Sequence, residues 1–557
     1  MNAFTLSHAL VDTYAALRPT AATFMGVPGH DHRWDDFSPA GAAEFRALLA
    51  RVRADVAALP PPPDHWHTLA ADVLTDWCDL EDERYAHNDH LHDLNSIAST
   101  FQVLRMVFDV MDTTTAAGWG AICARLETLD AAAASYQALL AEGLAKGEIV
   151  AIRQIEAVVR QGRMAAGDGG FYSGMAKTLA EAENGTLATP ALTARLDAAL
   201  ARARSAIGGL CDWLETQYAP HAPHKDGVGR ARYIRSARRF LGMTIDPEET
   251  YAWGWREIAA IEAEMAALAE QIAPGKTVAE VLEQLAKDPT RQAPNAAAFL
   301  ETIQAREQQA LNDLAGKHFD VPEPVRRLDV RRAPDTGTRG AYYMQPSEDF
   351  SRPGTVWYAI SDDPVPLWDE ISTAYHEGFP GHHLQIGIQV SLTQQLSRWH
   401  RLYEGYSGYA EGWALYAEQL MRELGYYERP DYIFGMLANQ LMRALRVVID
   451  IGAHLDLPIP DDAPFGVGQR WSYALAVEAL NTRGGMKLDH AQSDVTRYFG
   501  WPGQAISYKV GQRVMLSLRD AWRANHGDDA ASLRAFHTKV LGCGTVGLDR
   551  LLVLVLG

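Results

Sequence analysis

Tyr375-His376-Glu377-Gly378-Phe379-Pro380-Gly381-His382-His383 is the stretch on which the reading of this chain turns. His376 and Glu377 form the first half of a metal-hydrolase motif, His-Glu-x-x-His. In that motif two imidazoles one helical turn apart bind one ion, and the glutamate acts as general base. Here the next histidine comes at i+6 instead of i+4. On a continuous helix it would lie roughly 9 Å further along the axis and about 240° around it. Two nitrogens that each bind one zinc at about 2.1 Å cannot be so far apart. Either the helix is interrupted between the histidines, or the motif is accidental.

The interruption is written into the same stretch. Pro380 has no N–H to give the His376 carbonyl, and its ring clashes with that carbonyl. Gly381 can adopt backbone angles closed to other residues. A local bulge at Pro380-Gly381 is expected, bringing His382 back toward His376 with helix preserved on both sides. The alternative is a helix that simply ends at a Pro-Gly turn. His383 competes with His382 for the second ligand position and otherwise falls among the candidate substrate-binding residues.

A third ligand is needed. Tyr409 to Leu420 reads as a helix, with Glu411 and Glu418 seven apart on nearly one face, which also carries Leu415. Two inward carboxylates on an apolar helix are costly unless a cation or donor meets them. Glu411 is the expected ligand, and Glu418 is expected to orient a ligating histidine. Further on, Arg443, Arg446, Asp450 and His454 recur at three- and four-residue steps. Pairs Arg446–Asp450 and Asp450–His454 are expected at i,i+4. Either they form a buried ladder that positions helices, or the two arginines contact substrate.

Around this core the chain is 557 residues long and 47% apolar, enough for a large folded body. Its net charge of −19 argues against a nucleic-acid partner, which demands a basic surface. The four cysteines, Cys78, Cys123, Cys211 and Cys543, stand singly, so neither a disulfide framework nor a cysteine metal site is indicated. Together with an N-terminal stretch broken by His8, Asp12 and Arg18, this leads to the expectation of a cytoplasmic protein with no membrane partner. Amphipathic helices are expected around 41–58, 130–162, 191–217 and 248–271. The Pro- and Gly-containing segment 218–229 is the boundary candidate, dividing the chain into an N-terminal helical region, 1–220, and a second region, 221–557. Between about 325 and 361 short β-branched and aromatic runs read as strands: Val325 to Val330, Ala341 to Met344 and Thr355 to Ile360. A helix starting at Ser361-Asp362-Asp363-Pro364 should then lead into His376. Tyr342 and Tyr343, at the end of one such strand, are candidates for gripping substrate. A second histidine-rich run, Glu83 to His92, reads as a polar helix face or a contribution to a channel rim, because no second carboxylate–histidine pair repeats it.

The runs HEGFPGHHLQ (376–385), EGWALYAE (411–418), RALRVVIDIGAH (443–454) and WPGQAISYKVG (501–511) occur in that order. Together with RGAYYMQPSEDFSRPGTVWYAIS (339–361), they resemble a bacterial family long catalogued as a domain of unknown function. That family looks like a branch of the gluzincin metallopeptidases, related to thimet oligopeptidase and the Taq-type carboxypeptidases. The resemblance implies a mainly α fold, with a small sheet next to the zinc helix and a deep cleft walled by the N-terminal helices. It implies zinc on His376, His382 and Glu411, with Glu377 as base, but supplies no substrate; a deep cleft would favour short peptides over folded proteins. Tyr508, in the last run, would then donate to the developing oxyanion, as tyrosines do in related peptidases. The rival expectations are a zinc amidase or esterase of non-peptide substrates, and a catalytically silent helical binding protein on the same scaffold.

Overall fold

The structure is a computed structural model that describes residues 1–333, 340–403 and 405–557; of the motifs quoted above, only Arg339 lies outside them. The fold is mainly helical, as expected, and the described residues form two small sheets where one was expected. None of the described helices is long and apolar enough to cross a membrane. The chain divides into two compact units, Met1–Asp226 with Ser397–Trp399, and Gly227–Leu396 with His400–Gly557.

The first unit is a helical body around Trp119, Tyr136, Tyr218 and many aliphatic side chains. The expected helix over 130–162 is two helices, Leu129–Lys146 and Ile152–Ala166, because Gly147 ends the first in the left-handed region at φ 76°. Trp399 belongs to this unit because its ring packs on Tyr14 and Trp77, and its N–H donates to the Ser7 hydroxyl.

In the second unit the elements that build the site are α1 (Ala296–Leu314), β1 (Leu328–Arg332), β2 (Gly340–Met344), β3 (Gly354–Ala359), α2 (Glu370–Glu377), α3 (His382–Ser391), α4 (Ser407–Glu423), α5 (Pro430–Leu455) and α6 (Ser507–His526). The three strands form one sheet in the order β1-β3-β2, with β1 parallel and β2 antiparallel to the central β3. Val325, expected to open the first strand, lies in a short 3-10 turn, Glu323–Arg326, ahead of it. The helix that carries His376 begins at Glu370, not at Ser361; Val365 and Pro366 instead pair with Gln292 and Ala293 as a second, two-stranded sheet.

Helices α4 and α6 approach closely, and their glycines explain why. A Cβ on Gly412 would lie 2.5 Å from the Gly511 carbonyl carbon, and one on Gly511 would lie 2.0 Å from the Gly408 carbonyl oxygen. Only hydrogen fits at these crossings. Glu411 beside Gly412 and Tyr508 one turn before Gly511 are thereby carried to the same region.

Candidate metal centre

The helix of His376 does not bulge at Pro380-Gly381. It ends. Helix α2 stops at Glu377, residues 378–381 turn, and α3 starts at His382 with Gly381 as its N-cap. The expectation of a bulge with helix preserved on both sides is corrected to a complete break, which the absence of a side chain at Gly381 permits. A Cβ there would sit 2.0 Å from the His376 carbonyl oxygen and 2.4 Å from that of Tyr375, so the chain turns back across the last carbonyls of α2. The histidines nonetheless converge. The His376 and His382 rings lie 4.8 Å apart, centroid to centroid, at 84°.

Glu411, from α4, completes the group. Its Oε2 is 3.2 Å from His376 Nε2 and 3.5 Å from His382 Nε2. One ligand atom from each of His376, His382 and Glu411 lies within 4.8 Å of the others, and this group could hold a metal ion. His376 and Glu418 show how the surroundings enforce it. The Glu418 carboxylate, fully buried, accepts from His376 Nδ1 at 2.8 Å, from the Ser372 hydroxyl at 2.6 Å, and lies 3.0 Å from Arg443 Nη1. An ionised carboxylate is acceptor-only, so Nδ1 carries the proton and the Nε2 lone pair of a neutral His376 faces Glu411. A lone pair and a buried carboxylate oxygen 3.2 Å apart repel unless a proton or cation lies between them. Glu411 Oε2 has no hydrogen-bond donor in proper geometry despite this proximity. The donor set, two imidazoles and a carboxylate with one imidazole backed by a second carboxylate, fits zinc.

The electrostatics point the same way. Burial and Arg443 lower the His376 pKa, but the adjacent carboxylates of Glu411 and Glu418 outweigh them and carry it to about 9. Burial likewise pushes the Glu411 carboxyl up, and the two histidines overcome it, so that carboxyl is held far below its usual range. Burial raises Glu418 too, and Arg443 and His376 bring it below normal. The pocket favours positive charge at the point where the three ligand atoms meet.

The other expected residues divide. His383 is buried and turned away: Nε2 donates to the Val325 carbonyl at 2.7 Å, and Nδ1 lies 3.2 Å from the Tyr343 hydroxyl. Burial brings its pKa down to about 4, so it is a neutral strut between α3 and the sheet. Tyr343 is committed to that strut, and Tyr342, half-buried, sits across from Trp357 in the neighbouring strand. Tyr508 stands beside the metal group with its ring stacked 6.4 Å from that of His376. The Arg446 and Arg443 guanidinium carbons lie 4.8 and 6.0 Å from the centre of the Tyr508 ring.

The expected Arg446–Asp450 pair is not formed. Arg446 donates to the Tyr498 hydroxyl at 2.8 Å and to Asp494 at 3.1 Å. Asp450 accepts from the Tyr233 hydroxyl at 2.7 Å and the Gly503 N–H at 2.9 Å. His454 Nε2 is 3.5 Å from Asp450 but donates to the Tyr498 carbonyl at 3.0 Å. Partners 44 to 217 residues away outcompete those four residues away on the same helix, because this face of α5 is buried and each polar group takes the best-aligned partner. Near the first-unit histidines, His92 lies 3.3 Å from Glu148, and His87 is exposed. Among the described residues, no second metal-competent group forms.

Two residues with structural weight at the site had no signal in the motif itself. Glu307 of α1 accepts from the Phe379 N–H at 2.6 Å, and Trp413 of α4 donates to the Pro380 carbonyl at 2.9 Å. Glu307 lies 69 residues before the motif, and its signal was its place on the apolar face of α1, four residues after Ile303 and four before Leu311, where Glu301 of the same helix is exposed.

For a metal ion held by this group, substituting Glu418 with alanine should weaken binding by roughly 10–100-fold, the usual cost of removing the partner of a ligating histidine. Chelator-competition titration would measure it, and unchanged affinity would mean that Glu418 only neutralises Arg443.

Two solved structures share the fold along their whole length. One, described as a "putative lipoprotein" from Colwellia psychrerythraea, matches with a TM-score of 0.83 at 22% identity, covering 99% of this chain and 98% of its own. The other, from Shewanella oneidensis and described as a "putative lipoprotein of unknown function", matches with a TM-score of 0.75 at 17% identity over 100% of both chains. These descriptions correct the cytoplasmic expectation. All four cysteines are buried as free thiols, where they act as small apolar side chains, so their lack of pairing does not report the compartment. No curated protein matches the sequence. The model of a bacterial family of unknown function, DUF885, matches residues 19–555, and the chain belongs to that family.

Proposed function

We propose that this protein is a zinc-dependent hydrolase of short peptides, with His376, His382 and Glu411 as ligands and Glu377 as general base. The observation that carries the reading is the carboxylate-backed His376 facing His382 and Glu411, with the Glu377 carboxyl on the next residue. Zinc held there would polarise a substrate carbonyl and lower the pKa of water. Glu377 takes a proton from the attacking water on a carboxylate oxygen and returns it to the leaving amine. Burial lifts the Glu377 carboxyl above its usual range, against the pull of His382 and His376, which favours a group that must hold a proton in passing.

A peptide suits the site better than an isolated amide. Strand β2 packs near α2 and, among the described residues, pairs on one side only, with β3. Its other edge offers backbone N–H and C=O groups that an extended main chain can pair with. The proposal is tested by digesting a peptide library with and without a zinc chelator and reading the products by mass spectrometry. Chelator-sensitive cleavage is expected, and an intact library would overturn the reading.

Tyr508 is proposed to donate to the oxyanion. It takes no hydrogen bond from any described residue, and the arginines around it counter the burial and the Glu411 charge that raise its pKa. Tyr508→Phe should lower turnover by roughly 10²–10³ with little change in KM, since such a donor acts in the transition state. Unchanged turnover in steady-state kinetics would leave Tyr508 a packing residue.

A further inference from the structure

The two histidines belong to different helices, so their convergence depends on the conformation of residues 378–381. That turn is held at two of its peptide groups, on either side of the Phe379-Pro380 bond. Trp413 takes the Pro380 carbonyl, and Glu307 takes the Phe379 N–H at 2.6 Å. Glu307 is 1% exposed, and its carboxyl lies flat against Gly378: a Cβ on that glycine would come within 2.1 Å of Glu307 Oε1 and 2.6 Å of Oε2. Burying a carboxyl here is costly, because Oε1 has no hydrogen-bond partner among the described residues. A leucine would fill the space without that cost, but it would leave the Phe379 N–H buried without an acceptor. The expense is therefore confined to one function, holding that amide.

We propose that Glu307 is a positioning residue for the metal centre, setting metal affinity by fixing the Phe379 amide and so the approach of His382 to His376. It rests on the reading of this site as a metal centre and acts through the turn, not on the ion. Burial carries the Glu307 carboxyl well above its ordinary range, so glutamine, which keeps the acceptor and the shape of the neutral acid, is a fair substitute for it.

The experiment compares zinc dissociation constants of the full chain, measured by competition with a chromophoric chelator, for the wild type, Glu307→Gln and Glu307→Ala. Melting temperatures of the metal-free proteins are measured in parallel. Glu307→Gln should bind as the wild type does, and Glu307→Ala should bind roughly 10–100-fold more weakly, the range for residues that orient ligands. Should the alanine variant fail to fold, Glu307→Asp, which withdraws the carboxyl by one methylene, carries the same expectation. An alanine variant that melts lower but binds zinc normally would reduce Glu307 to a packing role and overturn the inference. So would a folded glutamine variant that binds as poorly as alanine. A wild type that takes no zinc would instead bring down the metal reading itself, and the role of Glu307 with it.

Discussion

Glu377→Gln should leave one zinc bound per chain and lower peptide turnover by roughly 10²–10⁴-fold, the range for loss of a positioned general base. Glutamine has nearly the volume of glutamate, so the end of α2 and the turn after it should pack unchanged. Glu377 lies outside the group of three ligand atoms, which explains why metal should remain. What the amide loses is the ability to accept a proton. In the wild type that ability is tuned by opposing influences: burial and Glu411 favour the protonated form, and His382, His376 and Arg443 favour the ionised one. Metal analysis alongside steady-state kinetics on a cleavable peptide checks both halves. Near-normal turnover would place the base elsewhere.

His382→Ala should abolish stoichiometric zinc, and the neighbouring His383→Ala should retain it. The contrast is sharp because the two imidazoles reach different partners from the start of α3. His382 Nε2 faces Glu411, but both His383 nitrogens are taken, by the Val325 carbonyl and the Tyr343 hydroxyl. The expected cost of His383→Ala is stability. It leaves the buried Val325 carbonyl without its donor, worth about 1–3 kcal/mol for an unsatisfied buried group, and opens space beside Gly354, whose Cβ would lie 2.9 Å from His383 Nδ1. Metal content by elemental analysis, with thermal melts in chelator, separates the two effects. Zinc lost from the His383 variant and kept by the His382 variant would reverse the ligand assignment.

The residues of the candidate metal group and the break between its histidines were legible in the sequence because they depend on local chemistry. A proline cannot donate to a helix, and a second histidine at i+6 cannot reach the first on an unbroken one. The same holds for Glu411 and Glu418, whose seven-residue spacing puts them on one face whatever packs against it. The helices of the first half followed from apolar periodicity, the three short strands from their β-branched and aromatic runs, and the mainly α fold of the whole from the family resemblance. The form of the break was decided by the tertiary structure. Glu307 and Trp413, 72 and 33 residues away along the chain, hold the turn that a local rule reads as a bulge. The choice between His382 and His383 was likewise tertiary, since adjacent histidines are equivalent as letters and differ only in that Val325 and Tyr343 stand ready for one of them. On α5 the i,i+4 rule, valid for an exposed helix, failed for Arg446 and Asp450 because burial makes well-aligned distant partners worth more than near ones on the same helix. Local composition determined which groups this chain brings to the site; long-range packing, which no short window contains, decided how each of them points.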